Sequence, residues 1–151
     1  MHFLRLMNEG EKAIAAIRDF NRFYTSVIGL LDKHILDSPY SLSEARVMFE
    51  ISSTGSCTAR HIKAAIQMDE GYLSRIVDKL LKQGLLKKTR SDEDGRAFLL
   101  SLSPAGQREF ARLDKASHDD IASLLEKLST AEVDLLSTQL QSIKSILTKT
   151  L

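Results

Sequence analysis

Leu73, Ile76, Val77, Leu80 and Leu81 recur at three- and four-residue steps, while Ser74, Arg75, Asp78, Lys79 and Lys82 fall between them. That spacing predicts an amphipathic helix with an apolar face inward and a basic, hydroxyl-bearing face outward. Asp69 is placed to cap its start and Gly84 to end it. Thr58 is placed to cap a preceding helix that runs to about Ile66. Beyond Gly84, the stretches Leu85 to Arg90 and Ala97 to Leu102 read as two strands around the polar segment SDEDGR. Its Asp94-Gly95 pair is a tight-turn signal, in a loop longer than a two-residue hairpin.

Longer helical patterns flank this segment. Ile14, Ile17, Tyr24, Ile28, Leu31 and Ile35 predict a helix from about Glu11 to Ile35. Gly29 costs such a helix roughly 1 kcal/mol relative to alanine and is either a tolerated glycine or a point of close helix contact. Pro39 disfavours helical geometry at Ser38 and breaks the run. Ser41 and Glu44 then form a capping-box pattern. The short helix that follows is expected to reach about Ile51 and to bury Leu42, Ala45, Val47 or Met48, and Ile51. Downstream, Ser103-Pro104 supplies a cap and a first-turn proline for a long helix carrying Phe110, Leu113, Ile121, Leu124 and Leu128. Ser129 and Glu132 repeat the capping box, and Val133, Leu136, Leu140, Ile143 and Leu147 mark a final helix. The expected fold class is therefore mainly α with a small β-hairpin wing.

Composition adds bounds. The 151 residues suit one compact domain, with 43% hydrophobic and 27% charged residues, two prolines and no low-complexity tract. The net charge is only +1, but from Thr58 to Arg90 eight Lys/Arg face three Asp/Glu. Basic charge is thus concentrated on the amphipathic helix and its neighbours, the distribution expected of a nucleic-acid surface. No apolar run approaches the roughly 20 residues that span a bilayer. The opening MHFLRLMNEGEK lacks the apolar core and cleavage site of a secretory signal. One cysteine, Cys57, excludes an intrachain disulfide, and cytoplasmic residence is the default expectation.

A helix with outward basic and hydroxyl groups can lie in a DNA major groove, and a hairpin with basic flanks can reach phosphates or the adjacent minor groove. The apolar stripes of the first, fifth and sixth helices are more than such a lobe can cover. They either pack on one another within a monomer or pair with a second copy. A twofold dimer would present two reading helices to one duplex and imply a pseudo-palindromic site.

The segments YLSRIVDKLLKQGLLKK, RSDEDGR and LSLSPAG, in that order and spacing, resemble the MarR family of winged helix-turn-helix regulators across nearly the entire chain. The segment IRDFNRFYTSVIGLLDKHILDSPYSLSEARVMFEI is similar to the MarR-like half of proteins that also carry a GNAT acetyltransferase domain. No acetyltransferase segment lies within these residues, so that chemistry is not assigned. The resemblance implies a single domain over 1–151, with a DNA-binding lobe at about 41–102 and dimerisation helices at about 1–38 and 103–151. It implies a homodimeric, sequence-specific transcriptional regulator, a ligand-responsive repressor or autoregulator acting on a pseudo-palindromic operator.

Carried onto matching positions, the family pattern puts Ser74 and Arg75 on the reading face, with Asp94 and Arg96 forming the wing's Asp-x-Arg pattern. Arginine suits either place, as a bidentate fork for guanine or phosphate and as a cation favoured in a narrow minor groove. Tyr72 faces outward and either meets DNA or supports its flank. Lys79 and Lys82 are phosphate-contact candidates, as are Lys87, Lys88, Arg60 and Lys63, although lysines on exposed faces are ordinary. The wing departs from the pattern, because Gly95 stands where a basic residue is frequent and Asp92, Glu93 and Asp94 make the tip acidic. The family also implies a small-molecule effector of unknown identity, in a pocket lined by Tyr24, His34, Tyr40 and Arg46. No cofactor or metal is implied, since the histidines are scattered, and Cys57 reads as a passive buried thiol. No nucleophile motif or phosphate-cradling loop points to an enzyme. The competing readings are a protein-interaction module and a regulatory part of a GNAT acetyltransferase system.

Overall fold

The structure, a computed structural model, describes residues 8–31 and 37–151. Among them the chain forms α1 (Glu9–Leu31), α2 (Leu42–Thr54), α3 (Ala59–Ile66), α4 (Glu70–Lys82), β1 (Leu86–Arg90), β2 (Phe98–Leu102), α5 (Pro104–Leu125) and α6 (Thr130–Thr148). The strands pair antiparallel, with Leu86 opposite Leu102 and Arg90 opposite Phe98. Cys57 adds a bridge to the far side of β2, exchanging both backbone hydrogen bonds with Leu100 at 3.0 and 2.8 Å. The mainly helical architecture with a hairpin wing thus follows the sequence pattern.

Local chemistry starts nearly every helix as expected. Ser41 and Ser129 each accept from the third helical amide, while Glu44 and Glu132 return to the cap nitrogens. Thr58, Asp69 and Ser103 cap α3, α4 and α5. The end of α4 is a Schellman arrangement. Gly84 sits at φ 71°, its amide donates to Leu81, and the Leu85 amide donates to Leu80.

Val47, Met48 and Ile51 of α2, Ile62 of α3, and Leu73, Ile76, Val77 and Leu80 of α4 close over Leu85, Leu86, Leu100 and Leu102. This is one contiguous core, and α4 joins it through the apolar face that its periodicity predicts. Leu81 lies at the core's edge, half-buried. Several expectations change. The helix α2 continues to Thr54, and Leu42 is 40% exposed instead of buried. It overhangs a cleft toward α1 and α5, beside Ile28 and Phe110, where the periodic stripe runs past the core. The first helix starts at Glu9, and its expected end at Ile35 falls outside the described residues. A Cβ on Gly29 would meet nothing within 4 Å in this chain, so no close contact here explains the glycine.

Two non-local contacts fix α4 in place. At its exit, Ser103 Oγ donates to the Gly84 carbonyl at 2.6 Å and accepts from Gly106 at 3.0 Å, while the Ser103 amide donates to Leu85 at 2.9 Å. The start of α5 therefore lies directly against the turn that ends α4. On its flank, the buried Glu44 accepts from Lys79 Nζ at 2.6 Å, so one carboxylate serves the α2 cap and holds α4 to α2.

Both contacts make testable statements. A side chain at Gly106 would collide with the carbonyl of Leu85, which is backbone and cannot swing away. Gly106→Ala is therefore expected to destabilise by about 1–3 kcal/mol in urea or thermal unfolding. Lys79→Met strands the Glu44 carboxylate and should cost on the order of 1–2 kcal/mol. That is less than for a fully buried pair, because the lysine side chain is 46% exposed. Glu44→Gln/Lys79→Met should recover part of that loss.

Candidate nucleic-acid interface

The outer surface of α4 follows from its inner one. With Leu73, Ile76, Val77 and Leu80 committed to the core, Tyr72, Ser74, Arg75, Asp78, Lys79 and Lys82 are left exposed. Arg75, Lys79 and Lys82 share one flank, where they line a shallow cleft of about 420 Å³ with Asp78 and Gln83. Ser74 and Asp78 line the other flank, a cleft of about 590 Å³ closed by Arg60 and Lys63 of α3 and by Lys88, Ala97 and Phe98 of the hairpin. The Ser74 flank of α4, the preceding helix and the stem of the hairpin thus form one concave surface.

Individual side chains are held in particular ways. Arg75 lies 5.8 Å from the centre of the Tyr72 ring, so Tyr72 supports the arginine from one turn earlier. Lys79 is engaged by Glu44, which draws its ammonium toward α2, a contact invisible to sequence spacing because the partners are 35 residues apart. Lys63 pairs with Glu70 across the α3–α4 junction at 3.1 Å, and His61 Nε2 meets Glu50 Oε1 at 3.1 Å. Lys82, Lys87 and Lys88 are exposed.

In the wing, Asp94 Oδ1 accepts the backbone N–H of Arg96 at 3.0 Å. Ser91 and Ala97 close the loop through Ser91 N–H to Ala97 and Ala97 N–H to Asp94, both at 2.9 Å. Asp94 therefore shapes the loop backbone, and Arg96 is carried on its exposed side. Phe98 and Arg90 escaped the sequence reading as site residues. Phe98 is 43% exposed, with Lys88 Nζ 4.5 Å and Arg90 Cζ 5.7 Å from its ring centre. The available signal was an aromatic residue that the alternating pattern places opposite basic residues on the partner strand.

Of the residues expected to line an effector pocket, the described ones, Tyr24, Tyr40 and Arg46, have different surroundings. Arg46 borders a cleft of about 420 Å³ between α1, α2 and α5, with Ile28, Phe49, Phe110 and Asp114 among its neighbours. Tyr24 instead stacks on Phe20 with ring centres 5.4 Å apart. Tyr40 packs at the core's edge; burial first, and then the neighbouring Glu109 carboxylate, pushes its phenol above the ordinary range. His34 lies outside the described residues. Cys57 is buried, and burial raises its thiol above the usual range.

Comparison with known proteins agrees with this geometry. The MarR family model matches residues 38–97, which hold α2, α3, α4, β1 and the wing loop. The chain is 32% identical over 93 residues to the HTH-type transcriptional regulator BilQ of Clostridium symbiosum, covering 62% of this chain and 65% of that one. The matched region thus spans just under two thirds of that relative. It is 26% identical over 103 residues to the multiple antibiotic resistance protein MarR of Salmonella typhimurium, covering 68% of this chain and 72% of that one. Among solved structures, a mutant MarR from E. coli complexed with operator DNA superposes with a TM-score of 0.74 at 20% identity, covering 91% and 99% of the two chains. A MarR family protein from Bacillus stearothermophilus gives 0.77 at 18% identity, covering 94% and 99%. The matched family model, the curated relatives and the shared winged-helix architecture agree that the chain is similar to the MarR family across its helix-turn-helix and hairpin.

Proposed function

We propose that the protein is a homodimeric, sequence-specific DNA-binding transcriptional regulator, a ligand-responsive repressor or autoregulator working in the cytoplasm. The observation that carries this reading is the concave surface of α3, α4 and hairpin, with Arg75 braced on Tyr72 along the opposite flank of α4. Support comes from the relatives: BilQ is named a transcriptional regulator, and the E. coli MarR structure contains operator DNA.

In this reading α4 enters the major groove, where Arg75 reads a base edge through its bidentate fork and Ser74 donates to phosphate or base. Lys82 meets the backbone, as does the part of Lys79 that Glu44 leaves exposed. Asp94 shapes the wing loop so that Arg96 reaches the minor groove. The lobe at about 41–102 does the reading, and the helices at about 1–38 and 103–151 join two copies. The case for pairing rests on unsatisfied apolar surface. Helix α6 buries none of its residues, while Leu135, Leu140, Ile143, Ile146 and Leu147 are exposed. Ile14, Ile17, Phe20 and Phe23 of α1 are exposed as well. Large apolar side chains exposed along two helices mark an interaction face. An effector in the Arg46 cleft would act by binding unequally to dimers whose reading helices are differently spaced.

Selection of duplexes from a random pool at near-physiological salt is expected to recover a pseudo-palindrome. Arg75→Ala should then cost about 1–3 kcal/mol in binding and relax specificity at one position per half-site. No enrichment by folded protein would defeat the reading. In sedimentation equilibrium the chain should be a dimer, and Leu140→Glu should shift it to monomer and weaken operator binding. A wild-type chain that stays monomeric at the concentrations where it binds would remove the dimer from the proposal.

A further inference from the structure

The wing carries two charge regions of opposite sign. Its tip holds Asp92, Glu93 and Asp94 against the single cation Arg96. Facing phosphates, three carboxylates would repel the duplex rather than grip it. The stem is different. Leu86, Leu100 and Leu102 on the inward face of the hairpin are buried in the core. The same face continues beyond the core as Lys88, Arg90 and Phe98, because side chains alternate along each strand and Arg90 stands opposite Phe98. All three are exposed. Lys88 and Phe98 line the cleft that Ser74 and Asp78 of α4 border from the opposite side, so this patch faces the same concave surface as the reading helix.

Phe98 organises that patch. Two cations two residues apart on one strand face repel each other and would diverge into solvent. The Phe98 ring offers both an electron-rich surface, with Lys88 Nζ at 4.5 Å and Arg90 Cζ at 5.7 Å from its centre. A phenylalanine left 43% exposed on a strand is otherwise unfavourable, and the cations over it give that exposure a use.

We propose that the stem of the wing, not its tip, grips the phosphate backbone, with Lys88 and Arg90 as the gripping cations and Phe98 as the residue that positions them. The proposal rests on the DNA-binding reading above and locates the wing's share of the affinity within it. It leaves Arg96 to the groove and predicts that the carboxylates of Asp92 and Glu93 make no phosphate contact.

The test is duplex affinity against salt concentration, on the selected site and on a duplex of generic sequence, for wild type and four variants. Lys88→Met/Arg90→Met should flatten the logarithmic salt slope by about 0.9 for each phosphate that is no longer neutralised. Phe98→Leu should weaken binding roughly two- to fivefold on both duplexes, with an unchanged melting temperature. Phe98→Tyr keeps the ring and should bind as wild type does. Asp92→Asn/Glu93→Gln should leave affinity within about twofold, since charges screened over a Debye length contribute little. An unchanged slope in Lys88→Met/Arg90→Met would take the grip away from the stem, and a severalfold gain on neutralising the tip would place its carboxylates against phosphate; either result overturns the proposal. Equal losses in Phe98→Leu and Phe98→Tyr would reduce Phe98 to a space-filler and overturn its positioning role. Wild-type protein that binds neither duplex at any salt would instead defeat the DNA-binding reading itself, a result visible before any variant is compared.

Discussion

Where α4 ends and α5 begins, four residues lock two helices and a hairpin together. Gly84 turns the chain with a positive φ, and its carbonyl accepts the Ser103 hydroxyl. Leu85 donates back into α4 and accepts from the Ser103 amide. Gly106 is bare because the Leu85 carbonyl occupies the space of a Cβ. A hydroxyl that caps α5 while tying off the end of α4 leaves neither helix terminus free to move independently. The orientation of the reading face is thereby coupled to α5, whose buried Leu113 and whose Phe110, packed against Phe49, anchor it on α2.

The molecule divides its two kinds of unsatisfied surface. Around α3, α4 and the hairpin, the core is closed and what remains outside is mostly charged or polar, with Phe98 an apolar exception. On α1 and α6 the exposed side chains include many large apolar ones, and no residue of α6 is fully buried. A lobe with its own closed core can present cations at fixed positions, whereas apolar helices without a covering layer call for association. Helix α5 is the helix pinned directly to the exit of α4.

Glu44 and Lys79 show how a charge can change meaning on folding. In the sequence, Glu44 belongs to a capping box and Lys79 to an outward basic face. In the fold, the glutamate is buried and the lysine is its counter-ion. Removing a carboxylate from water is costly unless it is paired and hydrogen-bonded, and here it has both a cap amide and an ammonium. Lys79 is consequently part of what sets the pose of α4, as well as a charge on it.

Whatever depends on neighbours within about four residues was legible from the sequence. The caps at Ser41, Thr58, Asp69, Ser103 and Ser129, the glycine stop at Gly84 and the apolar face of α4 all follow from local hydrogen bonding and helical period. So did the outward exposure of Ser74, Arg75 and Lys82, because a helix with one face buried must expose the other. The exposure of Leu42, the pairing of Glu44 with Lys79, the need for glycine at 106 and the gathering of Lys88 and Arg90 over Phe98 were decided only by tertiary structure. Each depends on groups distant in sequence or on opposite strands, and one-dimensional spacing carries no record of which surfaces meet. The sequence determined the elements and their faces; the packing decided which charges are free to act and which are held in maintaining the fold.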